Sequence, residues 1–407
     1  MTQTAPRVAL GACLLGLALL VHADRAAAGR FFYVRQTLGD DTNDGRAPER
    51  AFRSVSMLDE ALVAGDTAYV GPGLYRDQVF LRNSGTAEAP IRIVADATGR
   101  RTGDLPGPVL ITGADPVDES LFVAASTPGV FEARIPERVA GVVEMDGAQQ
   151  RYRGVLEPVR EVPYLDQVRE LSGSFYYDPE QQLLTLHTSD GRHPSRHELE
   201  LIRRTGGISM TGKHYVIVEG FAFRHMFDAG IVFWTGSGHG AALNNVVWGS
   251  RQGIRVNGAT DILLAGNTLF RNENSGVYFL NASFRGAVVG NTLYENAKGA
   301  RWSSQSNAAL AVDNVSFDNR EAGISIESVT GAVLLRNRLV RNRKSQLLAH
   351  RSAYVSEGDC LEDAHAAPRA SQPGPCGAAP EKIDVGELHA RSSAYTEAAS
   401  RERSAPD

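Results

Sequence analysis

The sequence predicts an all-β fold in which short strands stack into successive coils, a single-stranded parallel β-helix with about 23 residues per coil. Three observations predict it. A dipeptide of glycine and an apolar residue recurs every 23 or 24 residues, asparagines recur every 22 to 24 residues, and no window shows apolar residues at helical spacing over a helical length. A unit of this size accommodates three short strands and three turns, and such units close a core only when they stack.

Two markers define the repeat. The marker glycines are Gly230, Gly253, Gly276, Gly299 and Gly323. The marker asparagines are Asn245, Asn267, Asn291, Asn314 and Asn337, and a second set follows five residues later at Asn272, Asn296, Asn319 and Asn342. Asparagine suits turns because it tolerates left-handed backbone, and stacked copies are expected to form ladders at the strand spacing of about 4.8 Å.

A third column follows each marker asparagine by three residues. Its members are Trp248, Phe270, Tyr294, Phe317 and Val340. We interpret these side chains as part of the core, stacked from coil to coil. A sugar-binding stripe of exposed rings is the alternative interpretation.

Residues 1–28 are predicted to be a secretory signal peptide. Arg7 gives a basic start, residues 8–21 form an apolar run shorter than the roughly 20 residues that cross a bilayer, and alanines occupy positions 26–28. Residues 10–13 also resemble a lipoprotein box, so lipid attachment is the alternative. Since the chain has no other apolar run, we predict a protein without a membrane span that is secreted or periplasmic.

Charge and cysteine usage narrow the class of protein. The chain has 42 basic and 47 acidic residues, a net charge of −5, which argues against a nucleic-acid partner because such proteins carry a basic patch. Cys360 and Cys376 are expected to form a disulfide in an oxidising compartment, worth about 3 kcal/mol in the chain-entropy model. The sequence does not decide the oligomeric state.

Shifts in composition and period divide the chain. Residues 29–351 are predicted to form the β-helix domain, with regular coils over residues 206–350 and an irregular β insertion over residues 116–205. Residues 352–407 are rich in alanine, proline, serine and charged residues, and we expect a loosely ordered tail there.

Two local elements are expected outside the regular coils. Ser54 is expected to cap a short helix, with Val55 and Leu58 on its apolar face, that covers the open N-terminal end of the β-helix. Within the insertion, residues 142–152 and 175–187 are expected to form β-hairpins.

Four segments carry a family resemblance. They are GDDTNDGRAPERAFRSV (residues 39–55), GDTAYVGPGLYRD (65–77), GSFYYDPEQQLLTLHTSDGRHP (173–194) and VIVEGFAFRH (216–225). Together they resemble secreted right-handed parallel β-helix proteins of the pectate-lyase-like superfamily. The resemblance covers residues 31–350 and implies a right-handed helix with a short capping helix. That superfamily holds polysaccharide lyases, uronate epimerases, glycoside hydrolases and non-catalytic members, so it implies a carbohydrate partner without fixing the activity.

Strand alternation predicts which side chains face outward after each marker glycine. The inward positions are Ile231, Phe233, Ile254, Val256, Val277, Phe279, Ala300, Trp302, Ile324 and Ile326. Arg255, Tyr278 and Arg301 then share one outward column, and Trp234, Asn257 and Glu327 share the next. Arg255 and Arg301 are expected about 10 Å apart, a spacing comparable to repeats along a sugar chain.

This outward surface suggests a lyase or epimerase acting on an acidic polysaccharide. Removing a proton beside a uronate carboxylate requires neutralisation of that carboxylate and a proton-transfer group. Arg255 and Arg301 are expected to pair with carboxylates. Tyr278 or His225 is expected to transfer the proton. Nearby turns are expected to supply further contacts from Asp228 and His239, and the face supplies Trp234, Asn257 and Glu327. A non-catalytic polysaccharide-binding module is the alternative, in which these side chains simply solvate the sheet.

Two further functions have candidate residues in the sequence. A glycoside hydrolase needs two carboxylates about 5–10 Å apart. The candidates are Asp228, Glu327, Asp313, Glu219 and Glu321, and the face assignment brings no two of them clearly together. Asp40, Asp41 and Asp44 resemble a weak calcium loop, but turn formation explains them equally well. His225 is interpreted as replacing the second ladder asparagine in its coil, and breaks in a repeat often mark functional sites.

Overall fold

The computed structural model describes residues 29–144 and 160–362 together with Cys376. The chain forms a parallel β-helix whose coils of about 23 residues align their strands in three parallel sheets, which we call sheets A, B and C. This confirms the predicted fold class, including a short helix near the N-terminus. None of the helices in the described part of the chain has the length and apolar character needed to cross a bilayer.

Successive coils contribute strands to each sheet in register. Sheet A contains Phe31–Val34, Thr67–Val70, Ile91–Ala95, Val216–Glu219, Ala241–Leu243, Leu263–Ala265, Ala287–Val289, Leu310–Val312, Ala332–Leu335 and Tyr354–Glu357. Sheet B contains Gly73–Tyr75, Val109–Thr112, Ala222–Arg224, Val246–Trp248, Thr268–Phe270, Thr292–Tyr294, Val315–Phe317, Arg338–Val340 and Cys360–Glu362. Sheet C contains Val79–Leu81, Gly206–Thr211, Ala229–Trp234, Gln252–Asn257, Ser275–Leu280, Lys298–Trp302, Ala322–Glu327 and Ser345–His350.

The described part of the insertion forms two small antiparallel sheets. One contains Ala114–Pro116, Gly141–Glu144 and Leu199–Ile202, and the other contains Val123–Ala124, Val130–Arg134, Arg160–Glu161, Ser174–Asp178 and Leu183–His187. The expected hairpin over residues 175–187 is confirmed by pairing of Ser174–Asp178 with Leu183–His187. Most of the other expected hairpin, over residues 142–152, lies outside the described residues, and Gly141–Glu144 at its start pairs with Leu199–Ile202. Residues 145–159 lie outside the described residues.

The α-helices in the described residues are α1, Leu58–Ala61, and α2, Leu165–Glu170. Ser54 precedes the short helical turn that leads into α1, but its side chain makes no capping hydrogen bond there. Instead its hydroxyl donates to Oδ2 of Asp41 at 2.6 Å. The expected cap was therefore wrong in its partner, because the backbone N–H of Ser56 donates instead to Oδ2 of Asp77 at 3.0 Å.

The core lies between the three sheets and follows the predicted alternation. All ten residues assigned inward along sheet C belong to one continuous apolar cluster. The two asparagine ladders are also confirmed, since each buried amide donates to the side-chain oxygen of the next coil. Asn267, for example, donates to Asn291 at 2.9 Å, and Asn272 donates to Asn296 at 3.0 Å. The ladders satisfy buried polar groups that the apolar interior cannot.

The column of rings is buried, as predicted, but on the outer face of sheet B, in an apolar cluster separate from the core between the sheets, so the core interpretation was wrong in location. Trp248, Phe270, Tyr294 and Phe317 stack in sequence with ring centroids 5.8, 4.8 and 5.1 Å apart. Each is at most 1% exposed, so these faces are occupied by one another. Cys376 packs against this cluster and is joined to Cys360, which confirms the expected disulfide.

Candidate functional site

The candidate site is the outer face of sheet C across five consecutive coils. We call it the arginine face and define it by Trp234, Arg255, Tyr278, Arg301 and Glu327. The strands that carry these residues pair in parallel without a register shift, so Val232, Arg255, Tyr278, Arg301 and Ser325 stand opposite one another in turn. The sequence thus predicted the outward columns correctly, because a strand alternates its side chains between the two faces of a sheet.

The first half of the arginine face is organised around Arg255. Its Nη1 donates to both carboxylate oxygens of Asp228, at 2.9 and 2.8 Å, and its guanidinium lies 4.8 Å from the ring centroid of Trp234. Asp228 lies in the turn before the strand Ala229–Trp234, one coil earlier than Arg255. The side chains of Asp228 and Arg255 are 6% and 18% exposed, so this pair is shielded from solvent and fixed in orientation.

The second half repeats the arrangement around Arg301. The guanidinium lies 4.7 Å from the ring centroid of Tyr278, and Nη2 donates to Oε2 of Glu327 at 2.9 Å. The other oxygen of Glu327 accepts from the hydroxyl of Ser325 at 2.7 Å. The phenol of Tyr278 is 3.0 Å from the hydroxyl of Ser303, and either can be the donor. Both arginines therefore lie over an aromatic ring and bond a carboxylate from a neighbouring coil.

Asn257 continues the face at the end of the strand that carries Arg255. It is 8% exposed, and its Oδ1 accepts from Nδ2 of Asn281 at 2.8 Å. These amides extend the polar surface next to Trp234 and Arg255.

The sequence analysis did not select Lys298, which contacts two carboxylates on this surface. Its Nζ is 3.1 Å from Oε2 of Glu321 and 3.8 Å from Oε1 of Glu327, so these two oxygens are at most about 7 Å apart, the sum of the two distances. A break in the repeat could have indicated Lys298 as a candidate site residue. The residue before the marker glycine is Ala229, Gln252, Ser275, Lys298 and Ala322 in successive coils. A single lysine in this otherwise uncharged column marks the site.

The charges on this surface balance. Arg255, Arg301 and Lys298 face the carboxylates of Asp228, Glu327 and Glu321. Burial alone would raise the pKa of Glu327, but the Ser325 hydroxyl and the Arg301 guanidinium outweigh it and lower that pKa. Burial likewise opposes the effect of Lys298 at Glu321, where the net pKa is also lowered. Both glutamates are therefore ionised at neutral pH.

This result bears on the hydrolase alternative. Glu321 and Glu327 are a pair of carboxylates that the face assignment did not bring together, and they lie at most about 7 Å apart. Glycoside hydrolases use pairs about 5–10 Å apart. Such an enzyme needs one carboxyl that keeps its proton, with a raised pKa. Neither glutamate has one. Asp228 is four coils from Glu327, about 19 Å away at the strand spacing, so these two do not form a pair either.

His225 lies away from the arginine face. It follows the sheet B strand Ala222–Arg224, is 3% exposed, and its Nδ1 is 3.2 Å from Oε2 of Glu200 in the insertion. Glu200 also accepts from Arg224 at 2.9 Å and from Arg76 at 3.1 Å. We therefore correct the expectation that His225 sits beside Tyr278, because the turn directs its ring towards the insertion.

Two groups in the cluster around Glu200 have lowered pKa values, Glu200 itself and His225. Burial would raise the pKa of Glu200, but Arg224, His225 and Arg76 more than offset it and hold that pKa well below its usual range. Burial lowers the pKa of His225 despite its bond to Glu200, with the charge of Arg224 contributing. The cluster joins the insertion to the β-helix through a carboxylate that is ionised at neutral pH.

The ladder register of this coil also differs from the expectation. The backbone N–H of Met226 donates to the hydroxyl of Ser250, and the backbone N–H of Ser250 donates in turn to Oδ1 of Asn272. Met226 therefore takes the ladder position, and the interpretation of His225 was wrong by one residue. His225 occupies the preceding left-handed position, with φ 52°, which Gly249 and Arg271 occupy in later coils.

His239 also lies outside the arginine face. It precedes the sheet A strand Ala241–Leu243, and its ring stacks on Tyr215 with centroids 4.7 Å apart. Its Nδ1 is 3.7 Å from Oδ2 of Asp261. The expectation that His239 joins Trp234 at one site is corrected, because the turn between them carries the chain from sheet C to sheet A.

The N-terminal aspartates serve local turns. Asp40 accepts from the backbone and hydroxyl of Thr42, and Asp44 accepts from the backbone of Arg46. Asp41 accepts from the backbone N–H groups of Arg53 and Ser54. Across the described residues, no three His, Cys, Asp or Glu side chains form a group that could hold a metal ion. Calcium binding here has no geometric support and stays a prediction.

The comparisons with known proteins agree on architecture. Residues 186–356 match the family model described as "Periplasmic copper-binding protein (NosD)", which is less than half of the chain. All of these residues are described, and they contain no group of three metal-ligating side chains, so the copper in that description finds no fitting site here. No curated protein sequence matches the chain significantly.

Solved structures give the same answer on fold. A structure described as the complex of XylC with xylose is 14% identical, with a TM-score of 0.56, and the match covers 80% of this chain and 68% of that one. Pectate lyase Pel9A is 11% identical with a TM-score of 0.41, covering 88% of each chain. A mutant of the periplasmic alginate epimerase AlgG is 12% identical with a TM-score of 0.36, covering 74% of this chain and 77% of that one. The fold is a parallel β-helix.

Proposed function

We propose that this chain is an exported carbohydrate-active protein that binds a polysaccharide along the arginine face. One observation carries the proposal: two arginines, each lying over a ring and paired with a carboxylate, repeat two coils apart, about 10 Å along the helix axis. A polymer presents chemically equivalent groups at regular spacing, so a surface with an internal repeat suits it. Sugar rings pack on planar side chains, and their hydroxyls bond fixed carboxylates and guanidinium groups.

The reaction we propose is that of a lyase or uronate epimerase. Arg255 bonds Asp228 through Nη1 and Arg301 bonds Glu327 through Nη2, so each guanidinium retains further N–H groups for a substrate carboxylate. That neutralisation stabilises the charge that develops when the adjacent proton leaves. Tyr278 lies between the two arginines and is the group we assign to proton transfer. Trp234 and Asn257 are assigned to substrate binding, and Asp228 and Glu327 to positioning the arginines.

A non-catalytic binding module is the second candidate. The observation favouring it is the charge balance, since Arg255, Arg301 and Lys298 each already face a carboxylate. A uronate chain would have to share these arginines with their present partners. A neutral polysaccharide would bind the same surface without that competition.

Two observations support the compartment that we propose. A disulfide joins Cys360 and Cys376, and disulfides persist in oxidising compartments. The family model that matches residues 186–356 is described as periplasmic. We therefore propose a secreted or periplasmic protein, with the signal peptide at residues 1–28 lying outside the described residues.

The test uses the mature protein and a panel of polyuronates, glycosaminoglycans and neutral polysaccharides, with and without calcium. Elimination is followed by the ultraviolet absorbance of the unsaturated uronate, epimerisation by proton exchange at the reacting carbon, and binding by affinity electrophoresis. Arg301→Ala is the test variant. Arg336→Ala is its control, because Arg336 is paired with Asp313 in an exposed turn away from sheet C.

The outcomes separate the candidates. Turnover on an acidic polymer that Arg301→Ala loses and Arg336→Ala keeps supports the lyase or epimerase. Binding without turnover, weakened by Arg301→Ala alone, supports the binding module. Turnover or binding that is indifferent to Arg301 would overturn the assignment of the arginine face.

A further inference from the structure

The outer face of sheet A carries an unusual stripe of aliphatic side chains. In six consecutive coils both outward columns are aliphatic, apart from Glu219 at one end. The stripe consists of Ile217, Ala241, Leu243, Leu263, Ala265, Ala287, Val289, Leu310, Val312, Val333 and Leu335, and we call it the aliphatic stripe. The residues between them, such as Leu264 and Val288, point into the core. The corresponding face of sheet C is charged, and that of sheet B carries the buried column of rings.

This stripe is not explained by the core of the β-helix. At the Ile217 end its members form a separate apolar cluster. The exposure of Ile217, Ala241, Leu243, Leu310 and Val312 is 5–8%, and the other six members are partly buried. Contiguous apolar surface of this kind marks interaction sites.

Large and small side chains alternate along part of the stripe. Along the first column, Ala241 lies between Ile217 and Leu263, and a shallow depression lies over Ala241. Ala241 shares its row with Leu243, whereas the next row has Leu263 followed by Ala265. The order of large and small is therefore reversed between these two rows.

Three of the six rows pair a small with a larger side chain and are complementary to themselves: Ala241 with Leu243, Leu263 with Ala265, and Ala287 with Val289. If a second copy packs on the stripe about a two-fold axis parallel to the helix axis, equivalent coils lie level and the strands of the two faces run antiparallel. Each first-column residue then faces the second-column residue of the same row. Ala241 of one copy meets Leu243 of the other, and Leu263 meets Ala265, so large side chains enter the spaces over alanines. Two-fold symmetric dimers are the commonest oligomers.

The rims of the stripe are polar, as the rims of interfaces are. On one side Arg285 bonds Asp261 at 2.6 Å, and on the other Arg336 bonds Asp313 at 2.7 Å. With these turns the face measures about 29 Å by about 20 Å, so a dimer would bury about 1,200 Å² in total, at the lower end of stable interfaces. We infer that the aliphatic stripe is the interface of a two-fold symmetric homodimer with aligned helix axes.

Sedimentation velocity of the mature protein over a wide concentration range tests the dimer. We expect a dimer that Ala287→Glu, at the centre of the stripe, weakens at least about tenfold, because the interface would bury two unpaired carboxylates. Thr67→Glu is the matched control, since Thr67 is outward on sheet A beyond the stripe, in register with Arg92. It should leave the dimer unchanged. A wild-type protein that stays monomeric, or a dimer that Ala287→Glu does not weaken, would overturn the inference.

A second measurement tests the register and does not depend on the folding of a charged variant. The double variant Ala287→Cys with Val289→Cys should form a covalent dimer on oxidation, because the two positions face each other across the proposed axis. The single variant Ala287→Cys should cross-link much less. Efficient cross-linking by the single variant alone would contradict the aligned arrangement, and no cross-linking by either would contradict the interface.

Discussion

Arg255 donates two hydrogen bonds from Nη1 to the carboxylate of Asp228, which reaches it from the turn of the preceding coil. The pair ties two coils together through side chains, in addition to the backbone bonds between their strands. It also fixes the guanidinium over the ring of Trp234. The same contact that stabilises the helix therefore organises the proposed binding surface.

We predict that Asp228→Asn lowers the free energy of unfolding by about 1–3 kcal/mol, because it removes a charged acceptor from a largely buried arginine. Asp313→Asn is the control, since Asp313 and Arg336 are 50% and 60% exposed and such pairs contribute less than about 1 kcal/mol. Denaturant unfolding measures both. Equal losses would show that burial of the Asp228–Arg255 pair does not increase its contribution to the free energy of unfolding.

Asn291 lies in the middle of the first ladder and bonds on both sides. Its Oδ1 accepts from the backbone and side chain of Asn267 at 2.8 and 2.9 Å, and its Nδ2 donates to Leu264 and Asn314. We predict that Asn291→Ala costs about 3 kcal/mol or more, because several buried polar groups lose their partner together. The measurement is the denaturant midpoint.

Asn274→Ala serves as the control for the ladder variant. Asn274 is partly exposed, and its Oδ1 accepts only from the neighbouring Ser275 among its side-chain bonds in the described residues. The expected loss is about 0.5 kcal/mol or less. A ladder variant as mild as this control would mean that the ladder is not a source of stability.

The raised pKa of Asp59, in α1, leads us to predict that stability depends on pH. Burial, with a contribution from Asp77, raises its pKa to about 6, although its Oδ1 accepts from the backbone of Phe80. The folded protein therefore holds this proton up to about pH 6, whereas the unfolded chain releases it near about pH 4. Stability from this group is present below about pH 4 and is lost as the pH rises to about 6.

The corresponding variant is Asp59→Asn, which keeps an acceptor and removes the charge. After discounting for partial exposure, we expect a gain of about 1–2 kcal/mol at pH 7 and little change at pH 4. Unfolding midpoints between these pH values give the profile. Glu88→Gln, at an exposed position, is expected to leave the profile unchanged. A gain that is constant with pH would argue against titration of Asp59.

Glu200 predicts the opposite pH behaviour at the junction of the insertion and the β-helix. Its pKa is lowered, so the stability it contributes is present above its unfolded pKa of about 4.3 and is lost as the pH falls. We expect Glu200→Gln to cost about 3–5 kcal/mol at neutral pH, because Arg224 is fully buried and would lose a charged acceptor. Glu180→Gln, at an exposed turn, should cost little, and comparable losses would refute the role of the cluster.

The sequence by itself determined the architecture of this protein. A period of about 23 residues, glycine and asparagine markers and strand alternation were sufficient to predict the coils, both ladders, the ring stack and the outward positions of Arg255, Tyr278 and Arg301. These features are local or repeat from coil to coil, so the pattern of one coil predicts its neighbours. The position of Lys298 was also accessible, as a charged break in an uncharged column.

Only the tertiary structure decided which side chains meet. The pairing of Arg255 with Asp228 and of Lys298 with Glu321 depends on the directions of turns, which the period does not encode. His225 faces Glu200 because the insertion, which has no repeat, packs against that turn. The aliphatic stripe likewise became evident when six coils were placed in register. Contacts between distant or irregular segments depend on the whole fold, and local alternation carries no information about them.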